Sequence, residues 1–224
     1  MRVVSLVPSV TETLLEWGVE PVACTRFCEQ PSLRHVGGTK DPHVDEIVGL
    51  RPDLVVLNDE ENRLEDHDAL VAAGLDVHVV RVRTVADVGP ELDALAARVG
   101  VDAEPLELDL REPPPAATAF VPIWRRPWMA IGDDTYGASV LRLAGVAVSH
   151  RGTYVEVPEL AAVAADVVVA PSEPYPFAER HRAELEAVAP VRFVDGRDLF
   201  WWGARTRRGP GRIARALESQ GGDV

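Results

Sequence analysis

The chain has 224 residues, 46% hydrophobic and 26% charged, with Lys+Arg 23 against Asp+Glu 36 for a formal net charge of −13 at pH 7. That length buries one good core or two small ones. The acidic balance argues against nucleic acid or an anionic lipid surface as partner, because phosphate recognition relies on a basic face, and no apolar run approaches the roughly 20 residues that insert across a bilayer.

The sequence opens MRVVSLVPSV, a strand pattern without an extended apolar leader. This start predicts a cytoplasmic protein, exported only if a leader precedes Met1. Val3 to Val7 reads as a buried strand ended by Pro8, and Ser9 then caps a helix, with Glu12 at the capping-box position and Gly18 as its stop. A strand that ends in a polar turn at a helix start places free backbone N–H groups at the carboxyl edge of a sheet, a common place for ligands. Val22 to Cys24 is a second strand leading into Thr25-Arg26-Phe27-Cys28, and Val36-Gly37-Gly38-Thr39-Lys40 is a glycine-bearing loop whose backbone can approach a ligand. Asp45 to Leu50 suits a short helix. Leu54 to Leu57 is a strand of the type buried on both faces, followed at its carboxyl end by Asn58-Asp59-Glu60-Glu61-Asn62. A helix from Leu64 to Ala73 stops at Gly74, and Val77 to Val82 is the next strand. Strands and helices alternating in this way imply a mostly parallel sheet.

Thr84 to Gly100 reads as a bridge. Leu92, Leu95, Ala96 and Val99 have the i, i+3, i+4, i+7 spacing of an amphipathic helix, and Gly100 stops it. Pro90 inside a helix clashes with the carbonyl four residues back. The expectation is therefore either a kink near Gly89 or a turn over 84–89 with the helix starting at Pro90. Beyond it, LELDL alternates like a strand and Pro113-Pro114-Pro115 is a stiff tether. The α/β pattern then restarts. Ala119 to Val121 is a strand with PIWRRPW as its exit loop, Met129 to Ile131 another, and Thr135 to Ala144 a helix. A short helix over Leu160 to Ala164 precedes the strand Val167 to Ala170 and its exit PSEPYPF. A helix over Ala178 to Val188, a strand over Val191 to Val194 and a terminal helix near Pro210 to Leu217 complete the chain. The expected organisation is an α/β lobe at 1–83, a bridging helix and linker at 84–116, and a second α/β lobe at 117–224.

Trp124, Trp128, Trp201 and Trp202 fall in strand-exit loops of the second half, together with Tyr175 and Phe177, whereas the strands and helices use Val, Leu and Ala. Aromatics at one sheet edge, interleaved with Arg125, Arg126 and Glu173, suit a flat or conjugated ligand; a small aromatic core under long loops is the plainer alternative. Arg26 and Phe27 belong to the corresponding wall of the first half. The G-x-G-x-x-G, G-x-x-x-x-G-K-[ST], H-E-x-x-H and G-x-S-x-G signatures are all missing. Ser9 is readable as a nucleophile, but a helix cap explains it more simply. The six histidines show no metal-ligand spacing, and Cys24 and Cys28 have neither the redox C-x-x-C spacing nor a second pair to complete a zinc site, so both are expected to stay reduced and structural.

SLVPSVTETL, TRFCxxP, VGGTKDP, LRPDLV, NDEENR, FVPIWRRPWM, PSEPYPF and WWGART, in that order along nearly the whole chain, together resemble the helical-backbone metal-receptor family, the class III periplasmic-type solute-binding proteins of the cobalamin and siderophore branch. The resemblance implies two α/β lobes joined by a bridging helix, with a ligand cleft between them and an ABC permease as partner. The implied ligand is a corrinoid such as cobalamin, or an iron chelate, with no tightly bound cofactor and no bare metal ion. Carried over by position, Pro8, Ser9, Arg26, Phe27, Gly38 and Asn58 would line the first lobe's side, and Trp124, Trp128, Glu173, Tyr175, Phe177 and Trp202 the second. The bridge is shorter than the family's, which bears on cleft width. The reading from another class is a cytoplasmic enzyme acting on a small organic or corrinoid-related substrate through Glu173 or Ser9, and a third is an interaction subunit that kept the fold without the ligand.

Overall fold

A computed structural model describes residues 1–218. The chain divides into two compact units, one of Met1–Val82, Asp87–Glu107 and Gly203–Arg205, the other of Arg83–Ala86, Leu108–Trp202 and the chain from Thr206 on. In the first, β1 (Val3–Ser5), β2 (Ala23–Cys24), β3 (Leu54–Asn58) and β4 (Val77–Val80) form a parallel sheet in the order β2-β1-β3-β4. All of β3 is buried, as its unbroken apolar run demands. Val4, Leu6, Val55 and Leu57 pack with Ile47 of α2 (Val44–Leu50) and Leu70 of α3 (Leu64–Ala72).

The first helix, α1 (Pro8–Glu16), starts one residue before the expected cap. Val7 is its N-cap, no side chain caps it, and Ser9 lies inside and buried. Proline's fixed φ suits the first helical position, so Pro8 rather than the Ser9 hydroxyl sets the start. Thr13 of α1 donates to the Ser9 carbonyl at 2.8 Å and accepts the Ala204 N–H at 3.0 Å. Glu12 binds Arg205. These bonds fasten Gly203–Arg205 to the first unit. Gly203 has φ +100, and a Cβ there would strike the Thr13 hydroxyl. Thr13→Val removes the acceptor of a buried N–H and is expected to cost about 1–3 kcal/mol, measurable by urea denaturation.

The stretch expected as a bridge is a single 15-residue helix, α4 (Val85–Val99), that runs through Pro90. The turn expected over 84–89 is absent. Pro90 sits early enough that it removes one helical hydrogen bond, the one to the Ala86 carbonyl. The Val85 N–H is taken by Ser139 Oγ at 2.9 Å. Leu92, Leu95, Ala96 and Val99 are all buried, and Gly100 at φ 72 ends the helix. Ala86 is also the last residue assigned to the second unit before the chain returns to the first. LELDL, expected as a strand, has no regular structure. Asp109 there is held down at about 2 by the adjacent Arg111 guanidinium, an exposed local pair.

In the second unit, β5 (Ala117–Phe120), β8 (Val146–Val148), β10 (Val167–Pro171) and β11 (Val191–Val194) make a parallel sheet in the order β11-β10-β5-β8. PIWRRPW is not a loop: β6 (Pro122–Trp124) turns back into β7 (Trp128–Ile131), and β9 (Tyr154–Val157) extends this antiparallel sheet. The remaining helices are α5 (Tyr136–Leu143), capped by Thr135, a short α6 (Arg182–Leu185), α7 (Gly196–Phe200) and α8 (Gly209–Glu218). The helix expected from Ala178 to Val188 is thus only a 3-10 turn over Glu179–His181 followed by α6. The extended backbone of Ala178 delays its start, and Pro190 disfavours helix in the residue before it.

On β4, an edge strand, the His78 Nε2 is buried with no hydrogen-bond partner, and burial followed by the Arg98 charge lowers its pKa. A histidine depressed in the folded state contributes stability above its unfolded pKa that is lost as pH falls through the folded value. Acidification below about pH 6.5 is therefore expected to destabilise the protein. His78→Val, which removes the orphaned nitrogen from a strand position that favours a β-branched side chain, should raise stability by about 1 kcal/mol and flatten this dependence in denaturation curves taken across pH.

Candidate functional site

The carboxyl ends of β5 and β10 each lead into an aromatic segment of the second unit. From β5 the hairpin presents Trp124 and Trp128, and from β10 the segment Ser172–Phe177 presents Tyr175 and Phe177. These side chains meet. Trp128 stacks on Phe177 with centroids 5.9 Å apart and planes 6° from parallel. Tyr175 lies 4.7 Å from Phe177, and Trp124 meets Tyr175 edge-on at 5.7 Å. His181, which sequence reasoning did not single out, closes the group at 5.5 Å from Tyr175 and 5.6 Å from Phe177. Its Nδ1 is 3.1 Å from the Ala178 N–H and accepts from it, and burial lowers its pKa, which keeps the ring neutral.

The cluster is graded in exposure. Phe177 is 4% exposed and belongs to the core with Phe120, Val168 and Leu185, whereas Trp124 is 46% exposed. The inner rings therefore serve as the small aromatic core of the plainer reading, and the outer ones offer a conjugated face. Arg125 donates to Glu184 at 2.8 Å and also hydrogen-bonds Tyr175, so it stays charged beside the rings. Val157, in register with Trp128, is also part of the wall of a cavity of about 520 Å³ with Ser149, His150, Glu156 and Glu159 in its lining. That volume lies within the ordinary range of small-molecule sites. His150 sits 5.8 Å from the Phe120 ring, its Nδ1 is 2.8 Å from Ser149 Oγ, and burial lowers its pKa. It was missed because β8, whose end carries it, is too short to read from alternation.

The remaining second-unit candidates are placed differently. Glu173 begins the β10 exit and packs its backbone against Gly196. Trp202 is 4% exposed, too little to present a ring face to a ligand, so it acts as core.

In the first unit, Arg26 and Phe27 form a unit of their own. The Arg26 guanidinium lies 4.8 Å from the Phe27 ring centroid and makes a two-pronged pair with Asp41 at 3.0 and 3.1 Å. Hydrogen bonding from Arg26 lowers the Asp41 pKa. Phe27 is 51% exposed. Gly38 is buried against this pair, where a Cβ would come within 2.7 Å of Arg26 Nη2. Pro8 and Ser9 are buried in α1. Asn58 is also occupied structurally: its amide donates to the Val80 carbonyl at 3.0 Å, and its side-chain oxygen accepts the Glu60 and Glu61 N–H groups at 3.0 Å each. It holds the strand exit in shape rather than reaching out. Among the described residues no group of three or more His, Cys, Asp or Glu could hold a metal ion, and no helix is long and apolar enough to cross a membrane.

Residues 3–108 match the family model described as periplasmic binding protein. Comparison with curated protein sequences gives no match. Among solved structures, the periplasmic vitamin B12 binding protein BtuF of Vibrio cholerae is similar with a TM-score of 0.80 and 16% identity, covering 99% of this chain and 98% of that one. A periplasmic heme binding protein from Pseudomonas aeruginosa gives 0.78 and 18%, over 98% and 93% of the two chains. The periplasmic heme binding protein HutB of Vibrio cholerae gives 0.77 and 20%, over 97% and 98%. In fold the chain is thus similar over nearly its whole length to these periplasmic binding proteins, and residues 3–108 match the periplasmic binding protein model.

Proposed function

We propose that the chain is a solute-binding receptor of the ABC-transporter kind whose solute is a flat metal chelate of the corrinoid or haem class, delivered to a permease. The observation that carries this reading is the graded ring cluster, a rigid aromatic base of Phe177 and Trp128 under an exposed Trp124, with Arg125 held charged beside it. Conjugated macrocycles bind such a face through stacking and apolar burial, and arginine suits their carboxylate or amide edges. Within the first unit, Arg26 and Phe27 present a half-exposed guanidinium and ring of the same chemistry. The similar structures, a vitamin B12 binding protein and two heme binding proteins, support the same reading. No catalytic step is assigned: Ser9 is 2% exposed within a helix.

The test is a titration of purified protein with cyanocobalamin, haemin and a ferric hydroxamate, followed by ligand absorbance and tryptophan quenching. Saturable binding with a spectral shift for one of them is expected. No saturation with any of the three overturns the reading.

A further inference from the structure

Cys24 and Cys28 are the chain's two cysteines, both free and both buried, with Cys28 retaining 2% exposure and Cys24 none. β2 ends at Cys24, Thr25 is extended, and the 3-10 turn Arg26–Cys28 folds the chain back so that the Cys28 N–H donates to the Thr25 carbonyl at 3.1 Å. The turn brings the thiols together: the Cys24 S–H is hydrogen-bonded to the Cys28 sulfur. Two hydroxyls point at the same sulfur, Thr11 Oγ1 and Thr25 Oγ1, each 3.2 Å away. The Thr11 hydroxyl also has Ser5 Oγ at 2.8 Å and the Val7 carbonyl at 3.1 Å as acceptors.

Donors gathered around one sulfur favour its thiolate. The hydrogen bond from Cys24 is the largest cause, with Thr11 and Thr25 adding to it against the opposing effect of burial, and together they lower Cys28 to about 6. The same shared bond, with burial, pushes Cys24 up, so it keeps its proton. The pair is asymmetric, one sulfur a nucleophile and its neighbour a protonated thiol in contact with it. A purely structural pair of buried cysteines has no need of three donors on one sulfur.

We propose that Cys24 and Cys28 are an oxidation site, closing to an intramolecular disulfide when the folded protein meets an oxidant of the peroxide class. The Cys28 thiolate attacks a peroxide oxygen, the O–O bond breaks, and hydroxide leaves, with Cys28 now a sulfenic acid. Cys24 then attacks the Cys28 sulfur. The S–S bond forms as the S–O bond breaks, and the Cys24 proton leaves with the departing oxygen as water. The two sulfurs give up two electrons in all, and one hydrogen peroxide becomes one hydroxide and one water. Closure draws the sulfurs from hydrogen-bond separation to about 2.05 Å across Arg26 and Phe27, so the modification locks the turn that presents those two side chains.

The folded protein is treated with hydrogen peroxide, quenched, unfolded in the presence of an alkylating agent and weighed intact. The expected product has lost the mass of two hydrogen atoms, takes up no alkylating agent and recovers both thiols with dithiothreitol. Cys24→Ser is expected to stop at a Cys28 sulfenic acid that dimedone captures, and Cys28→Ser to leave Cys24 reduced. The oxidation rate should rise with pH through about 6. Thr11→Val, which removes one donor to the sulfur while leaving both thiols, should slow it severalfold. Full alkylation of both cysteines in the peroxide-treated wild type, or a disulfide that joins two chains, overturns the proposal. Neither depends on whether a chelate binds.

Discussion

A Trp124→Ala chain is expected to bind the proposed chelate about fivefold to 150-fold more weakly than the wild type while unfolding at nearly the same temperature. The argument rests on where the ring sits. Trp124 is 46% exposed and touches the cluster by its edge, against Tyr175 at 5.7 Å, so little of its burial supports the fold. Its free face is available to a ligand, and stacking a conjugated system on one aromatic side chain is worth about 1–3 kcal/mol, where about 1.4 kcal/mol is tenfold in affinity. Phe177→Ala is the counterpart. That ring is 4% exposed and packed between Trp128, Tyr175 and His181, and its loss should cost about 3–5 kcal/mol of stability. Thermal melts and ligand titrations on the two variants separate the roles. Unchanged affinity in Trp124→Ala means the exposed rings are not the binding face.

Gly196→Ala is the second large effect, a loss of about 3 kcal/mol from overpacking. Gly196 opens α7, its N–H donates to Ser172 Oγ at 3.0 Å, and a Cβ added to it would lie 2.7 Å from the Glu173 nitrogen and 2.8 Å from the Glu173 oxygen. Those are backbone atoms of the segment that carries Tyr175 and Phe177, so no side-chain rotation relieves the clash and the segment itself must move. Chelate affinity is expected to fall with stability. Gly211→Ala is the control. In α8 the nearest atom to a new Cβ is Arg215 Nη1 at 3.7 Å, and replacing glycine within a helix by alanine should stabilise by about 0.5–1 kcal/mol. Urea midpoints that shift alike in the two variants would contradict the packing account.

The sequence patterns that translated into structure are those with local causes. The apolar runs at Val3, Leu54 and Val167 are buried parallel strands, because a strand covered on both faces has few polar positions to alternate. The spacing of Leu92, Leu95, Ala96 and Val99 identified the face of α4 that is buried. What local pattern could not give was set by distant partners. Met129–Ile131 was legible as a strand, but Pro122–Trp128 looked like a loop because β6 is short and the turn holds Arg125, Arg126 and Pro127; β9, which extends the pairing through β7, lies more than 20 residues on. Clustering of aromatic residues pointed to Trp124, Trp128, Tyr175 and Phe177, yet His181 joins them only through a 3-10 turn no periodicity announces. Asn58 and Trp202 show the converse. The family resemblance, joined for Trp202 by its strand-exit position, suggested that both face a ligand, whereas hydrogen bonding occupies Asn58 and burial covers Trp202.

The three residues Gly203–Arg205, fastened to α1 through Thr13 and Glu12, bear on the order in which the protein is made. A ribosome releases the strands and helices of the first unit early, but the residue that takes up the Thr13 hydroxyl oxygen and the cation that neutralises Glu12 emerge nearly a hundred residues after the stretch that matches the family model has ended. The unit begun first is completed only after residues 108–202 of the other have emerged. A chain truncated after residue 108 keeps the whole matched region and still lacks this fastening, so the growing chain holds its first unit in an incomplete state until most of the second has been synthesised.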